Sequence, residues 1–281
     1  LDQGQPIRVI GRNAAALAAL RQRGAELAIG DAQDARFLAQ AFAGASAAYV
    51  MIPTAYDAPD LRHSQARFGA AIAAAIAQSG VRRVVNLSSM GAELPRGTGP
   101  IVGLHEQEAR LDALPGLDLL HVRRGYFMEN HLQAAEAVAA LGVYASLERS
   151  DVPVPMIAAR DIAAVVVREL VQPEARGVLH LHAPRHYTFQ QVAAVLGRAI
   201  DRPGLSHAQA TSAQARAAML QAGMSGDAAE QMEEMAHWLS AMERTRLSGP
   251  VEVTPTTLED FAPRFRDAYK TATLVEASRS S

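Results

Sequence analysis

Apolar and polar residues alternate along this chain in two different rhythms. From residue 6 to residue 123, short β-branched runs recur between longer alanine-rich stretches whose apolar positions follow a helical period. The runs predict strands at 7–10, 26–29, 48–52, 83–87 and 118–122, each shortly preceded by glycine or proline. Several are apolar at nearly every position, as strands buried on both faces of a parallel sheet must be. Between them, Asn13 caps a helix ending at Gly24, Asp34 caps a shorter one ending near Gly44, and 61–79 forms a long helix stopped by Gly80. Parallel strands joined by right-handed helical crossovers make a doubly wound, Rossmann-like α/β sheet. Its ligand crevice lies at the C-terminal ends of the strands.

After residue 124 helices take over, with short strands expected at 156–158 and 178–182 and helices at 162–170 and 189–200. Residues 1–123 are therefore expected to form the dinucleotide-binding domain. Residues 124–270 should form a smaller α+β substrate lobe interleaved with the sheet, and 271–281 a flexible tail. The helical stretch 212–242 carries Met219, Met224, Met232, Met235 and Met242 beside Trp238. Core packing is its first reading, and an adaptable wall over a flat apolar substrate the second. The opening Leu1-Asp2-Gln3-Gly4 runs straight into the first extended segment and reads as the end of a helix. The strand, glycine-rich turn and most of the helix that a dinucleotide fold places first, about 20 residues, are expected to be missing ahead of it.

Composition narrows the chemistry. The 281 residues are 49% hydrophobic, enough for a substantial core. Net charge is −2 with both signs interspersed, so no electrostatic footprint for nucleic acid appears. The absence of cysteine removes disulfides, thiolate catalysis and cysteine-held metals, leaving redox chemistry to a bound organic cofactor. His121, His180 and His182 lack metal-ligand spacing, and no metal site is expected. No apolar run reaches the roughly 18 residues of a membrane span, which points to a cytoplasmic protein without a membrane partner.

Candidate site residues follow from the strand ends. Arg12, just after the first strand, stands where an acid would accept the ribose hydroxyl of NAD; a guanidinium with Asn13 beside it suits the 2′-phosphate of NADP instead. Gly30-Asp31 ends the second strand, where the carboxylate either accepts from an adenine amino group or caps a turn. Met51-Ile52-Pro53 closes the third as an apolar floor for the cofactor. Ser88 and Ser89 end the fourth, beside the expected nicotinamide position, and either one is a candidate to orient a substrate carbonyl.

Val84-Val85-Asn86-Leu87-Ser88-Ser89, His105-Glu106-Gln107-Glu108, Arg123-Arg124-Gly125-Tyr126-Phe127-Met128-Glu129-Asn130 and Ile157-Ala158-Ala159-Arg160-Asp161-Ile162 together resemble the NmrA-like family of atypical short-chain dehydrogenase/reductases. The resemblance implies NADP(H) as cofactor rather than NAD(H), with Gly125, Tyr126, Phe127 and Met128 passing over the nicotinamide. It also aligns His105 with the active-site lysine of relatives and Ile101 with their tyrosine. The usual proton donor is then absent, because the only lysine is Lys270 and Arg266 stands four residues before it. His105, oriented by Glu108 one turn along its helix, is the replacement candidate. Arg124 stands where the family usually has proline. Two functions are implied: NADPH-dependent reduction of a flat, apolar quinone or conjugated carbonyl, or a non-catalytic NADP(H) sensor acting on a regulatory protein partner. A homodimer fits either.

Overall fold

The computed structural model describes residues 1–242 and 249–279. Its first half runs β1 (Arg8–Gly11), α1 (Ala18–Gln22), β2 (Glu26–Ile29), α2 (Ala35–Phe42), β3 (Ala47–Val50), α3 (Leu61–Ser79), β4 (Arg83–Ser89), α4 (Ile101–Asp112) and β5 (Asp118–Arg124). Then follow β6 (Tyr126–Phe127), a 3-10 turn over Met128–Ala134, α5 (Ala135–Leu141), β7 (Tyr144–Ser146), β8 (Met156–Ile157) and α6 (Ala159–Val171). The chain ends with β9 (Gly177–His182), α7 (Phe189–Ala199), β10 (His207–Gln209), α8 (Ser212–Gln221), α9 (Gly226–Ala241), β11 (Val251–Val253) and α10 (Leu258–Arg279).

The central sheet is parallel and five-stranded, in the order β11-β9-β5-β4-β3. Strand alternation splits its core in two. Val50 and Val84 face α2 and α3, together with Ile72 and Ile76. Val85, Leu120 and Val122 face α6, together with Ile162 and Val166. Helices on both faces make the sheet doubly wound, as the apolar strands require.

Strands β1 and β2 form their own parallel pair, in register Arg8↔Glu26 to Gly11↔Ile29. Helix α2 fastens this pair to the rest. The Arg8 guanidinium donates to the carbonyls of Ala41 and Ala43 at 2.8 and 3.0 Å, and Ile10 packs on the α2–α3 core. Asn13 caps as expected, its Oδ1 accepting from Ala15 and Ala16 at 2.9 and 3.3 Å. The helix proper nevertheless starts only at Ala18, because bonds from Leu17 to Ala14 and from Ala18 to Ala15 wind residues 14–17 into tight turns first.

A second lobe packs α5, α7 and α10 around Tyr144, Tyr187, Phe189 and Phe265. The apolar stripe Leu258, Phe261, Ala262, Phe265 seats the first half of α10 on this core, and the helix runs on to Arg279 through most of the expected tail. The expected helical stretch 212–242 divides at Gly223. Met235, Met242 and Trp238 pack against the lobe core, whereas α8 buries none of its residues. Asp161 takes Thr256 N and Oγ1 at 3.0 and 2.6 Å, and Arg160 Nε donates to the same hydroxyl at 2.9 Å. That cluster ties α6 to the entrance of α10. No described helix is long and apolar enough to cross a membrane.

Candidate cofactor and substrate site

Two doublets end adjacent strands, Ser88-Ser89 on β4 and Arg123-Arg124 on β5, in register Ser88↔Arg123 and Ser89↔Arg124. Registered neighbours in a sheet point to the same face and successive residues to opposite faces. Each face therefore receives one serine and one arginine.

On the α4 face both groups converge on Glu108. Ser88 Oγ donates to Glu108 Oε1 at 2.5 Å, and Arg123 donates through Nε at 3.0 Å and Nη2 at 2.6 Å. Arg123 also reaches Glu93 at 3.2 Å. Burial alone would raise the Glu108 carboxyl, but hydrogen bonds from Arg123 and Ser88 outweigh it and hold the pKa below the ordinary range. Glu108 is thus consumed by this network and does not orient His105, a correction to the expectation from helix spacing. The Ala92 carbonyl does so instead, accepting from His105 Nδ1 at 2.8 Å. A carbonyl can only accept, so Nδ1 carries the proton and the half-buried ring keeps Nε2 for other work. Ser88 is completely buried and its proton is committed to Glu108, which leaves Ser89 as the freer of the two hydroxyls; Ser89 Oγ is buried without a partner.

On the other face Arg124 meets no carboxylate among the described residues. Its guanidinium lies 4.1 Å over the Phe127 ring, Nη1 donates to its neighbour Gly125 at 3.2 Å, and Nε is buried and unpartnered. Burial pulls its pKa down to about 10 against the opposing influence of the Tyr56, Tyr49 and Tyr126 phenols, so it remains a cation at neutral pH. Sequence reasoning passed over this assembly, although the doubled Ser-Ser and Arg-Arg at matching strand ends was its signal.

Gly125 lets β6 approach the next segment, since a Cβ there would lie 2.6 Å from the Pro155 carbonyl oxygen. The adjacent rings of Tyr126 and Phe127 do not share a face, because β6 is extended and sends them apart. Tyr126 enters the second-lobe core against His131 and Phe189, while Phe127 packs on the sheet core beneath Arg124. Met128 is fully buried in the lobe core, so its side chain supports this segment from behind.

The remaining predicted residues lie at the ends of β1, β2 and β3. Arg12 is exposed, and no described carboxylate pairs with it. Gly30 has no room for a side chain, its Cβ position lying 2.6 Å from the Phe37 ring. Asp31 Oδ1 accepts from Gln33 N at 2.9 Å, the turn role weighed for it, leaving its second oxygen free. Ile52 is buried, whereas Met51 and Pro53 are exposed, so the apolar floor is reduced to these two, with the Tyr49 hydroxyl 3.9 Å from Met51 Sδ. An unpaired guanidinium past β1 suits the phosphate of a dinucleotide laid across parallel strand ends. Among the described residues no cluster of histidine and acidic side chains is placed to hold a metal.

The sequence matches the model of the NmrA-like family over residues 1–264. It is 30% identical over 233 residues to an NAD(P)H azoreductase of Xenophilus azovorans, spanning 82% of this chain and 77% of that one. In fold it is similar to an NADPH-dependent quinone oxidoreductase from Escherichia coli complexed with NADPH, with a TM-score of 0.76 at 22% identity over 94% of this chain and 92% of the other. A Citrobacter triphenylmethane reductase complexed with NADP(H) superposes with a TM-score of 0.72 at 18% identity, covering 96% and 93% of the two chains.

Proposed function

The chain belongs to the NmrA-like family, and from that premise we propose that it is an NADPH-dependent reductase of flat conjugated acceptors, quinones or conjugated carbonyls. The observation that carries this reading is His105, fixed in one tautomer by Ala92 at the end of β4 with Nε2 left for proton exchange. When bound, the reduced nicotinamide supplies a hydride. Arg12 and Asn13 hold the phosphorylated ribose, Gly30 and Asp31 flank the adenine, and Met51, Ile52 and Pro53 border the middle of the cofactor. Ser89 faces the acceptor from the end of β4, with Ser88 anchoring the strand end through Glu108. His105 Nε2 takes a proton from solvent and passes it on to complete reduction. Gly125, Tyr126, Phe127 and Met128 shape the far wall, mainly through their backbone. A quinone suits this site because its reduced anion is stabilised and makes small demands on an acid.

The missing tyrosine and lysine favour a second reading, a sensor that binds NADP(H) without consuming it. Acceptor-driven oxidation of NADPH separates the two. For the cofactor itself, Arg12→Ala should weaken NADPH roughly 10- to 100-fold, the range of one charge-assisted phosphate contact, and move NADH by less than about twofold. Fluorescence titration of both cofactors checks it; equal losses for both would remove Arg12 from the phosphate site.

A further inference from the structure

The two faces at the ends of β4 and β5 carry the same pair of groups and differ in one respect. On one face a serine hydroxyl and a guanidinium close on the carboxylate of Glu108. On the other, Ser89 and Arg124 share the same register, yet no carboxylate of the described chain meets them. The two buried arginines of the central sheet are each doubly paired, Arg83 with Asp118 and Glu169 and Arg123 with Glu93 and Glu108. Arg124 is the exception, stacked on Phe127 and ringed by Tyr49, Tyr56 and Tyr126. Arg124 is half-buried with its Nε sequestered and unpartnered, and an orphaned hydroxyl beside it adds to the cost of leaving such donors without an acceptor.

We propose that Ser89 and Arg124 form a receptor for an oxyanion that the chain itself does not supply, namely a carboxylate or sulfonate on the reducible substrate. The reading rests on the reductase function proposed above and narrows its acceptors to aromatic acids. The planar fork of Arg124 takes two oxygens of the acid, as Arg123 takes those of Glu108, while Ser89 donates to one of them. Phe127 fixes the guanidinium plane from one side. Arg12, past the end of β1, already stands apart as the partner of the cofactor phosphate, which leaves Arg124 for the second reactant.

Calorimetry with two redox-inert probes, naphthalene sulfonate and naphthalene methanol, reads the receptor without turnover. The intact protein should bind the sulfonate at least about tenfold more tightly than the alcohol, and Arg124→Gln should weaken the sulfonate about 10- to 100-fold. Arg124→Lys, which keeps the charge and loses the fork, should fall between, and Ser89→Ala should cost a few-fold. Circular dichroism of each variant confirms that it is folded. Equal binding of the two probes, or a loss in Arg124→Gln that falls on NADPH instead of the sulfonate, overturns the assignment. Turnover of naphthoquinone and its sulfonate with equal KM also overturns it while leaving the reductase intact. Arg124-dependent sulfonate binding without any NADPH oxidation upholds the receptor and removes the reductase.

Discussion

Replacing Glu108 with alanine should lower the stability of the fold by about 3–5 kcal/mol, the cost of stranding a buried charge. Three donors converge on this one side chain, two from Arg123 and one from Ser88. Without it Arg123 keeps only Glu93, which is partly exposed and held by a longer contact of 3.2 Å. Glu108→Gln should recover part of the loss, because an amide oxygen still accepts from the guanidinium. The pH dependence has a definite sign. The folded carboxyl titrates below its ordinary value of 4.5, so its stabilisation is complete above that value and is lost as pH falls through the lower folded pKa. Denaturant titrations of wild type and Glu108→Ala at neutral pH and below pH 4.5 test both statements. The gap between the two proteins should narrow in acid. A loss under about 1 kcal/mol at neutral pH would show that the network is not holding the strand ends.

Phe189→Ala is expected to cost a similar amount, about 3–5 kcal/mol, in the second lobe. The ring is fully buried at the start of α7 and touches the rings of Tyr126, His131, Tyr144 and His207. Its removal leaves a cavity that these neighbours fill only by leaving their rotamers. His131 and His207 are held neutral by burial, with pKa values lowered to about 3 and about 4, so neither offers water a charged group to solvate in that cavity. Tyr126 is the link to function, because its displacement moves the backbone of Gly125 and Phe127 on which Arg124 rests. Calorimetric unfolding and the KM for an aromatic acceptor should change together. Unfolding shifted with KM untouched would separate the lobe from the site.

The main sheet was readable from the chain because strands buried on both faces must be largely apolar, as Val84, Val85, Leu87, Leu119, Leu120 and Val122 make β4 and β5. The breakers were equally legible: Gly80 adopts the left-handed conformation that ends α3, and Asp34 caps α2 through Arg36 and Phe37. What escaped was tertiary. Strands β7, β10 and β11 are three residues each, and a short run has no measurable period. Glu108 and His105 lie three residues apart on α4, which licensed pairing them. The register of β4 on β5 decided otherwise by bringing Arg123 and Ser88 to the same carboxylate. The same register produced the Ser89 and Arg124 pair, which spacing along the chain could not show because 34 residues lie between two groups that are neighbours in the sheet.

The most direct test of the account titrates the protein with NADPH and with NADH by fluorescence, then adds naphthoquinone sulfonate to the NADPH complex and follows cofactor oxidation against acceptor reduced. The account predicts micromolar or tighter binding of NADPH, on a scale where micromolar is about −8 kcal/mol, weaker NADH, and one NADPH oxidised per quinone reduced. NADPH bound as tightly but left unoxidised by every acceptor would contradict the reductase and leave a cofactor sensor in its place.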